Sequence, residues 1–260
     1  MKKNKVCLIT GGAKRIGKKI SYSLAKDGWD IAIHYNKSIN ESLELKKKIE
    51  KLGSKVMRIH ADFNNFTNEN FFFEFIDSIQ NNLGPINMLV NNAAVFNYDS
   101  PSSTSIDGIS HHIINNTIAP VMLTKVLYKM KASAPPNQDP DTVINLLDQK
   151  LWNPNPDFFS YTLSKSALRE ATELMARSFA PYLRVLAVAP GITLPTTSQN
   201  NQEFEDAHKK TPLGYSSSPE DIADSIVWLS KAKSITGTTI IVDGGQHLIP
   251  SPRDVVFMKS

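Results

Sequence analysis

The stretch that decides the fold is residues 5–28, KVCLITGGAKRIGKKISYSLAKDG. Its first part, VCLIT, is a short apolar run that predicts a β-strand. Ile16, Ile20 and Leu24 then recur at the spacing of one helix face, and Gly28 follows as a stop signal. A strand that passes through glycines directly into a helix is the opening unit of an α/β fold.

The same alternation of strand and helix continues along the chain. Further strands are predicted at residues 30–35, 55–60, 86–91, 142–147, 184–189 and 239–242, and further helices at 45–52, 113–130, 160–178 and 219–229. Residues 132–140 and 191–212 are polar, and we expect them to be loops. We therefore predict one α/β domain over residues 1–260, built on a doubly wound parallel sheet with helices on both faces.

Composition excludes several classes of protein. The chain has 260 residues, 41% of them hydrophobic, and a formal net charge of +4 with lysines scattered along it. No apolar run approaches the roughly 18 residues of a membrane span, and no basic cluster with aromatics indicates nucleic-acid binding. Cys7 is the only cysteine, so no internal disulfide is possible. We expect a cytoplasmic protein that binds a small anionic ligand and no metal.

The glycine-rich turn at residues 10–17, TGGAKRIG, is a candidate phosphate-binding loop. Glycines allow the backbone to approach a phosphate closely, and the N-terminus of the following helix attracts an anion. The spacing matches neither the G-x-G-x-x-G fingerprint nor a P-loop, in which Lys19 would have to be a hydroxyl residue. A purely structural turn is the alternative.

Three polar residues form a candidate catalytic set. Tyr161 and Lys165 are four residues apart and share one helix face, while Asp148 follows an apolar strand thirteen residues before the tyrosine. A tyrosine has a pKa of about 10, and a neighbouring lysine cation stabilises its phenolate. We therefore predict that Lys165 lowers the pKa of Tyr161 and makes it a proton donor.

Several short motifs occur in the order typical of one enzyme superfamily. They are Thr10-Gly11 with Gly17, Asn91-Asn92-Ala93-Ala94, Asn116 before Ala119-Pro120, Tyr161 with Lys165, Pro190-Gly191, Thr236-Gly237 and Asp243-Gly244-Gly245. Together they resemble the short-chain dehydrogenase/reductases over nearly the whole chain. The resemblance implies a Rossmann-type fold, a nicotinamide cofactor, and catalysis by Tyr161, Lys165 and Asn116, with Asn116 positioning a water in the proton path.

Within that superfamily the chain resembles the pteridine reductases and the bacterial dihydromonapterin (dihydropteridine) reductases. Arg15 stands where most relatives have a glycine, HYNKS occupies residues 34–38, and Asp148 replaces the usual catalytic serine. Residues 230–238, SKAKSITGT, are also similar to that subgroup. The resemblance implies reduction of a dihydropterin of the dihydromonapterin, dihydrobiopterin or dihydrofolate type.

The cofactor is predicted to be NADPH, preferred over NADH by at least about tenfold. Residues 34–38 contain no carboxylate to hold ribose hydroxyls, whereas Arg15, Lys37 and Ser38 suit a 2′-phosphate. By resemblance, Asp62 would hydrogen-bond the adenine edge. The residues predicted to bind the cofactor are Thr10, Gly11, Lys14, Arg15, Ile16, Gly17, His34, Tyr35, Asn36, Lys37, Ser38, Asp62, Phe63, Asn92, Ala93, Ala94, Leu146, Leu147, Tyr161, Lys165, Pro190, Gly191 and Thr193.

Asp148 favours reduction of a C=N bond. A developing oxyanion needs hydrogen-bond donors, which an ionised carboxylate cannot supply, whereas a protonated imine is stabilised by a carboxylate. By resemblance, Phe96 sandwiches the pterin against the nicotinamide, and Arg15, Asp148 and Tyr161 complete the substrate contacts. Ala94 departs from the subgroup, which often has a serine there, and this leaves the preferred pterin open.

Two other functions stay open from the sequence. One is a carbonyl reductase of 3-oxoacyl or sugar-type substrates, and the other is a catalytically silent NADP(H)-binding sensor. The helices at residues 113–130 and 160–178 carry apolar residues on more than one face, which is more than a helix covering a sheet requires. This surplus predicts burial against another subunit, and the resemblance to the short-chain dehydrogenase/reductases implies a homotetramer, a dimer of dimers, through these helices.

Overall fold

A computed structural model describes residues 5–66, 68–136, 139–195 and 201–257. Its sheet contains seven parallel strands in the order β3-β2-β1-β4-β5-β6-β7. The strands are β1 (Val6–Ile9), β2 (Asp30–Tyr35), β3 (Val56–His60), β4 (Ile86–Asn91), β5 (Asp141–Leu146), β6 (Leu183–Pro190) and β7 (Thr239–Val242).

Helices connect the strands and cover both faces of the sheet. They are α1 (Arg15–Lys26), α2 (Ile39–Glu50), α3 (Asn70–Leu83), α4 (Ile106–Ile113), α5 (Ala119–Lys131), α6 (Phe159–Phe179), α7 (Asn201–Lys209) and α8 (Pro219–Lys231). A π-helical stretch, Ile114–Ile118, joins α4 to α5. Short 3₁₀ turns lie at Phe63–Asn65, Gln149–Leu151, Gln246–Leu248 and Val255–Phe257.

The core has two halves, one on each face of the sheet. Cys7 and Ile9 point from β1 into the half that α1, α2 and α8 cover. Val6 and Leu8 alternate with them and point into the half covered by α3, α5 and α6. Strand order reverses between β1 and β4, and a doubly wound sheet binds its ligand at the carboxyl ends of strands beside such a switch point.

The predicted fold class and the seven predicted strands are confirmed to within two residues at each end. Helix α8 begins near its predicted start, because the Ser218 side chain accepts a hydrogen bond from the Asp221 N–H and Pro219 opens the helix. No helix in the described part of the chain is long and apolar enough to cross a membrane.

Four helices differ from the sequence-based expectation. Helix α2, predicted at residues 45–52, begins six residues earlier, at Ile39. Helix α3 was not predicted, because a run of phenylalanines hides the spacing of Phe72, Ile76 and Ile79 on the buried face. The helix predicted from residue 113 begins earlier, at α4, where the Ser105 hydroxyl accepts from the Gly108 N–H. Helix α7 lies within the stretch 191–212 predicted as a loop, of which residues 196–200 are outside the described part.

Candidate active site

A cavity of about 690 Å³ opens at the carboxyl ends of the strands that flank the switch point. All of the residues predicted for the site line this cavity except Thr10, Asp62, Phe63 and Asn116. The glycine loop and residues 34–38 form one end, and Asp148, Tyr161 and Lys165 form the other. The cavity therefore joins the predicted cofactor residues to the predicted catalytic residues.

The glycine loop is shaped by close backbone contacts. Gly11 has φ +61°, a conformation that favours glycine, and a Cβ on Gly17 would collide with the Gly11 carbonyl oxygen. The Gly12 N–H donates to the His34 carbonyl oxygen at 3.0 Å. The loop is thus fastened to the end of β2 and presents its backbone to the cavity.

The His34 side chain packs against this loop and is buried, with 2% of its surface exposed. Its Nδ1 accepts from the Gly11 N–H at 3.1 Å, so the proton is on Nε2, which donates to the Ala61 carbonyl oxygen at 3.1 Å. Burial lowers the pKa of His34 to about 4, and the imidazole is neutral at pH 7. His34 therefore holds the loop and also lines the cavity, and its predicted contact with the cofactor stays a prediction.

Thr10 and Asn92 join the loop to the end of β4. The Thr10 hydroxyl oxygen accepts from the Asn92 and Ala93 N–H groups, both at 3.0 Å. The Asn92 side-chain amide donates to the Thr10 carbonyl oxygen at 2.8 Å and to that of Gly11 at 3.0 Å. Thr10 is 2% exposed and does not line the cavity, so its contribution is to position the loop.

The end of the cavity beside the loop fits a dinucleotide that carries an extra phosphate. Lys14, the residue before α1, makes no side-chain cap, and the first turn of α1 has no acidic residue, so that helix N-terminus can receive an anion. Arg15, Lys37 and Ser38 line the same end. The Arg15 guanidinium donates to the Pro195 carbonyl oxygen through both terminal nitrogens, each at 3.3 Å.

Asp62 and Phe63 do not line the cavity, and the predicted contact of Asp62 with the adenine edge stays a prediction. Asp62 instead caps the turn that follows it, with its Oδ1 accepting from the Asn64 N–H at 3.0 Å. That bond and one from the Asn64 side chain hold the pKa of Asp62 below its usual value. The Phe63 ring stacks on His34 at 4.4 Å between centroids and so supports the loop through the imidazole.

The catalytic end brings together residues from β5 and α6. The Tyr161 hydroxyl donates to Asp148 Oδ2 at 3.0 Å. Lys165 lies one helical turn further along and donates from Nζ to the Leu146 carbonyl oxygen at 2.6 Å. Tyr161 is 6% and Lys165 2% exposed, so hydrogen bonds and charges at this end act with little screening by water.

Burial changes the proton affinity of all three groups. It raises the pKa of Tyr161 well above its ordinary value, and the Asp148 carboxylate raises it further. It also raises the pKa of Asp148, against hydrogen bonds from Lys150 and Tyr161 that lower it. The pKa of Lys165 falls to about 8, also through burial. The predicted lowering of the tyrosine pKa by Lys165 is therefore wrong for this state, because the hydroxyl faces a carboxylate.

Asn116 lies in the π-helical stretch and is fully buried. Its Oδ1 accepts from the Val95 N–H at 2.8 Å, and its Nδ2 donates to the Val95 carbonyl oxygen and to Ser164 Oγ, both at 2.9 Å. These bonds occupy both amide protons. The Asn116 side chain therefore holds the segment after β4 against α6 and does not line the cavity.

The aromatic rings of Phe96 and Phe158 lie beside Tyr161 at the catalytic end of the cavity. The Phe96 ring stacks on Phe158 at 4.2 Å between centroids and meets the Tyr161 ring edge-on at 4.7 Å. Phe96 is 43% exposed, so much of its surface faces open space. Such a surface accepts a flat ring by stacking.

Sequence analysis missed nine residues that line the cavity. They are Ala13, Gln149, Lys150, Ile192, Leu194, Gln246, Asp254, Val255 and Val256. Most of them neighbour a predicted residue, and that adjacency was the available signal. Asp254, Val255 and Val256 follow the last motif by nine residues or more, and no local pattern connects them to the site.

Comparisons with known proteins agree with this geometry. A family model described as enoyl-(acyl carrier protein) reductase matches residues 11–247. The solved structure of FolM alternative dihydrofolate reductase 1 from Brucella canis, complexed with NADP, is 36% identical with a TM-score of 0.88, and the alignment covers 97% of each chain.

Curated relatives have more varied activities. Pteridine reductase 1 of Leishmania tarentolae is 28% identical over 94% of this chain and 96% of its own length. Glucose 1-dehydrogenase 2 of Bacillus subtilis is 27% identical over 95% of this chain and 96% of its own. Identity at this level does not choose between a pterin and a sugar, so the substrate has to be argued from the site.

Proposed function

The chain belongs to the short-chain dehydrogenase/reductase family and is an NADPH-dependent oxidoreductase, and we propose that it reduces a dihydropterin to the tetrahydro form. The proposed reaction is hydride addition to a C=N bond. Dihydromonapterin, dihydrobiopterin and dihydrofolate are the candidate substrates.

The observation that carries this proposal is the hydrogen bond from Tyr161 to Asp148. In this position a serine hydroxyl would stabilise the oxyanion formed from a ketone, whereas a carboxylate opposes it. Reduction of C=N requires a proton on the nitrogen, and Asp148, whose pKa is raised by burial, holds a proton more readily than an ordinary carboxyl. Once that proton has moved to the nitrogen, the ionised Asp148 faces a cation, which it stabilises. The Asp148–Tyr161 pair is therefore suited to protonate nitrogen.

The residues of the site have different roles in the proposed reaction. NADPH, when bound, supplies the hydride. Lys165 would hold the nicotinamide ribose and keep a positive charge beneath the reacting ring, and Asp148 with Tyr161 would deliver the proton. Phe96 offers an exposed aromatic face, which supports a flat bicyclic substrate over an open-chain ketone. Arg15, beside the phosphate end, would contact both ligands.

The proposal is tested by following NADPH oxidation with a panel of substrates. The panel is dihydromonapterin, dihydrobiopterin, dihydrofolate, folate, glucono-1,5-lactone, and acetoacetyl and crotonyl thioesters. We expect kcat/KM to be highest for a dihydropterin or dihydrofolate. Turnover confined to a thioester or to the lactone would reject the pterin proposal in favour of a carbonyl or enoyl reductase. No turnover, with NADPH still bound, would favour the sensor function.

Substitution of Asp148 tests the chemical argument. Asp148→Ser should lower kcat for dihydropterin by at least about tenfold, because the proton donor of the pair is lost. The same variant should gain activity on a ketone, if any substrate of that class fits. Asp148→Asn is the matched control, since it keeps the size of the side chain without its acidity. Dihydropterin reduction by Asp148→Ser at the wild-type rate would contradict the C=N argument.

We also propose that the chain acts as a homotetramer in the cytoplasm. Helix α6 exposes Leu163, at 41%, and Leu174, at 67%, with Ala167 exposed between them. This apolar stripe lies on α6, the helix that also carries Tyr161. Association of subunits through the stripe would therefore restrict the motion of the active site. The mass in solution should be about four times 28.9 kDa, and Leu174→Glu should reduce it. A fully active monomer by light scattering would exclude the tetramer.

A further inference from the structure

The C-terminal segment, residues 251–257, reaches across to the active site and is firmly attached there. The Arg253 guanidinium forms two hydrogen bonds with Asp157, at 2.8 and 2.9 Å, and the Asp157 side chain is 3% exposed. The Asp254 N–H donates to the same carboxylate at 2.7 Å. Phe257 stacks on Phe158 at 6.0 Å between centroids. These contacts all lie on the loop between Asp148 and α6.

Anchored in this way, the segment places a carboxylate and two apolar side chains in the cavity wall. Asp254, Val255 and Val256 line the cavity beside Asp148. The Asp254 carboxylate pairs with Lys150 Nζ at 2.8 Å, and the side chains are 16% and 4% exposed. A salt bridge this enclosed is costly to leave half made, because the remaining partner would be a buried unpaired charge.

Lys150 connects this salt bridge to the catalytic acid. Its backbone N–H donates to Asp148 Oδ1 at 2.8 Å, while Tyr161 occupies Oδ2. Its Nζ also donates to Asn155 Oδ1 at 2.5 Å. The Lys150 side chain thus ties Asp254 to the turn whose backbone N–H donates to Asp148.

We propose that Asp254 and Lys150 are positioning residues for the reaction: the pair holds Asp148 against Tyr161 and balances the charge beside it. The C-terminal segment is thus part of the active site and closes its substrate end. This inference rests on the proposed proton transfer through Asp148 and Tyr161.

The charges around Asp148 support a role in protonation. Tyr161 and Lys165 face it from α6, Lys150 from the turn after β5, and Asp254 from the C-terminal segment. Burial is the largest cause of the raised pKa of Asp148, and the negative charge of Asp254 raises it further while that of Lys150 lowers it. The two charges therefore act on the pKa of Asp148 in opposite directions. Removal of either one should shift the protonation of Asp148, and in opposite directions.

The test is the pH dependence of kcat with saturating dihydropterin and NADPH. Asp148 must be protonated to act as the acid, so kcat falls as pH rises through its pKa. Asp254→Asn leaves Lys150 positive and should move that midpoint down by on the order of one unit. Lys150→Met leaves Asp254 negative and should move it up by a similar amount. The double variant should return close to the wild-type midpoint, since the net charge of the pair is again zero.

Conservative and remote variants separate this role from a merely structural one. Lys150→Arg and Asp254→Glu keep the charges and should keep the midpoint. Asp139→Asn breaks a matched Lys–Asp pair on the surface, Lys233 to Asp139 at 2.7 Å, and should change nothing. Loss of kcat in Asp254→Asn and Lys150→Met without a shift of the midpoint, or a shift of both in the same direction, would overturn the proposal.

A second measurement does not depend on the substrate. The Asp148 carboxyl can be titrated by ¹³C NMR in the NADP⁺-bound protein labelled at aspartate, with Asp148→Asn giving the assignment. The midpoint should fall in Asp254→Asn and rise in Lys150→Met. Shifts in this titration together with no dihydropterin turnover would reject the proposed function and retain the positioning role. Unshifted titrations with normal dihydropterin turnover would reject the positioning role and retain the proposed function.

Discussion

His34 and Lys165 are both buried bases in the same cavity, and the two ends of the site use them in different ways. Burial lowers the pKa of His34 to about 4 and that of Lys165 to about 8. At pH 7 the first is therefore neutral and accepts a hydrogen bond from the glycine loop, while the second keeps its charge. Burial lowers both pKa values, but it leaves one residue neutral and the other charged at pH 7, because their ordinary pKa values differ.

The comparison shows how each end of the cavity is built. At the cofactor end, neutral groups and backbone N–H groups shape a loop, and the charges of Lys14, Arg15 and Lys37 stand at its rim. At the catalytic end, charges are enclosed, and their protonation depends on one another. Changes at the first end should therefore alter binding, and changes at the second should alter turnover and its pH dependence.

The largest effect is expected from Tyr161→Phe. This change removes the hydroxyl that donates to Asp148 and leaves the ring against Phe96. We expect kcat to fall by roughly 10²–10⁴, the range for loss of a general acid, with the dissociation constant of NADPH unchanged. Stopped-flow turnover and fluorescence titration measure the two quantities. A fall of only a few fold would mean that Asp148 or water delivers the proton without the tyrosine.

Lys37→Glu tests the cofactor end. Lys37 lines the cavity, and a carboxylate there would repel a 2′-phosphate. We expect kcat/KM with NADPH to fall by at least about tenfold, kcat to change little, and the preference over NADH to shrink. Lys47→Glu, on the exposed face of α2, is the matched control. Wild-type enzyme that prefers NADH in steady-state assays would contradict the assignment of Lys37.

The buried charge of Lys165 should make the wild-type protein less stable than Lys165→Met at neutral pH. The folded pKa is about 8, against an ordinary value of 10.5, so between these values the unfolded chain binds more protons. The free energy of unfolding of the wild type should therefore rise by roughly 3 kcal/mol from pH 8 to 10.5 relative to the variant. Denaturant unfolding at pH 7, 8.5 and 10 measures this gap, and a constant gap would place the lysine charge in contact with water.

His34 should lower the stability of the folded protein at acidic pH. Its folded pKa of about 4 lies below its ordinary value of 6.5, so the unfolded chain gains a proton first as pH falls. Wild-type stability should drop by up to roughly 3 kcal/mol between pH 6.5 and 4, and His34→Gln should lack that component. Thermal melts of both proteins at several pH values test this, and a wild-type slope in His34→Gln would contradict it.

Much of the fold could be predicted because its signals are local. Strand β1, the glycine turn and α1 lie within residues 6–26, and the periodicity of each element identifies it. The segment containing α3 was missed because consecutive phenylalanines obscure the helical spacing, and tertiary burial selects which of them face the core. Most of the residues predicted to bind the cofactor line the cavity, because they follow strands whose carboxyl ends meet at one edge of the sheet.

By itself the sequence determined the order of strands and helices, the position of the phosphate loop, and the presence of Asp148, Tyr161 and Lys165 at one edge of the sheet. Only the tertiary structure decided that the tyrosine hydroxyl faces a carboxylate, that His34 is neutral beneath the loop, and that residue 254 enters the cavity. The physical reason is that pKa values and enclosed salt bridges depend on burial and on distances between residues remote in the chain, which periodicity and spacing do not record.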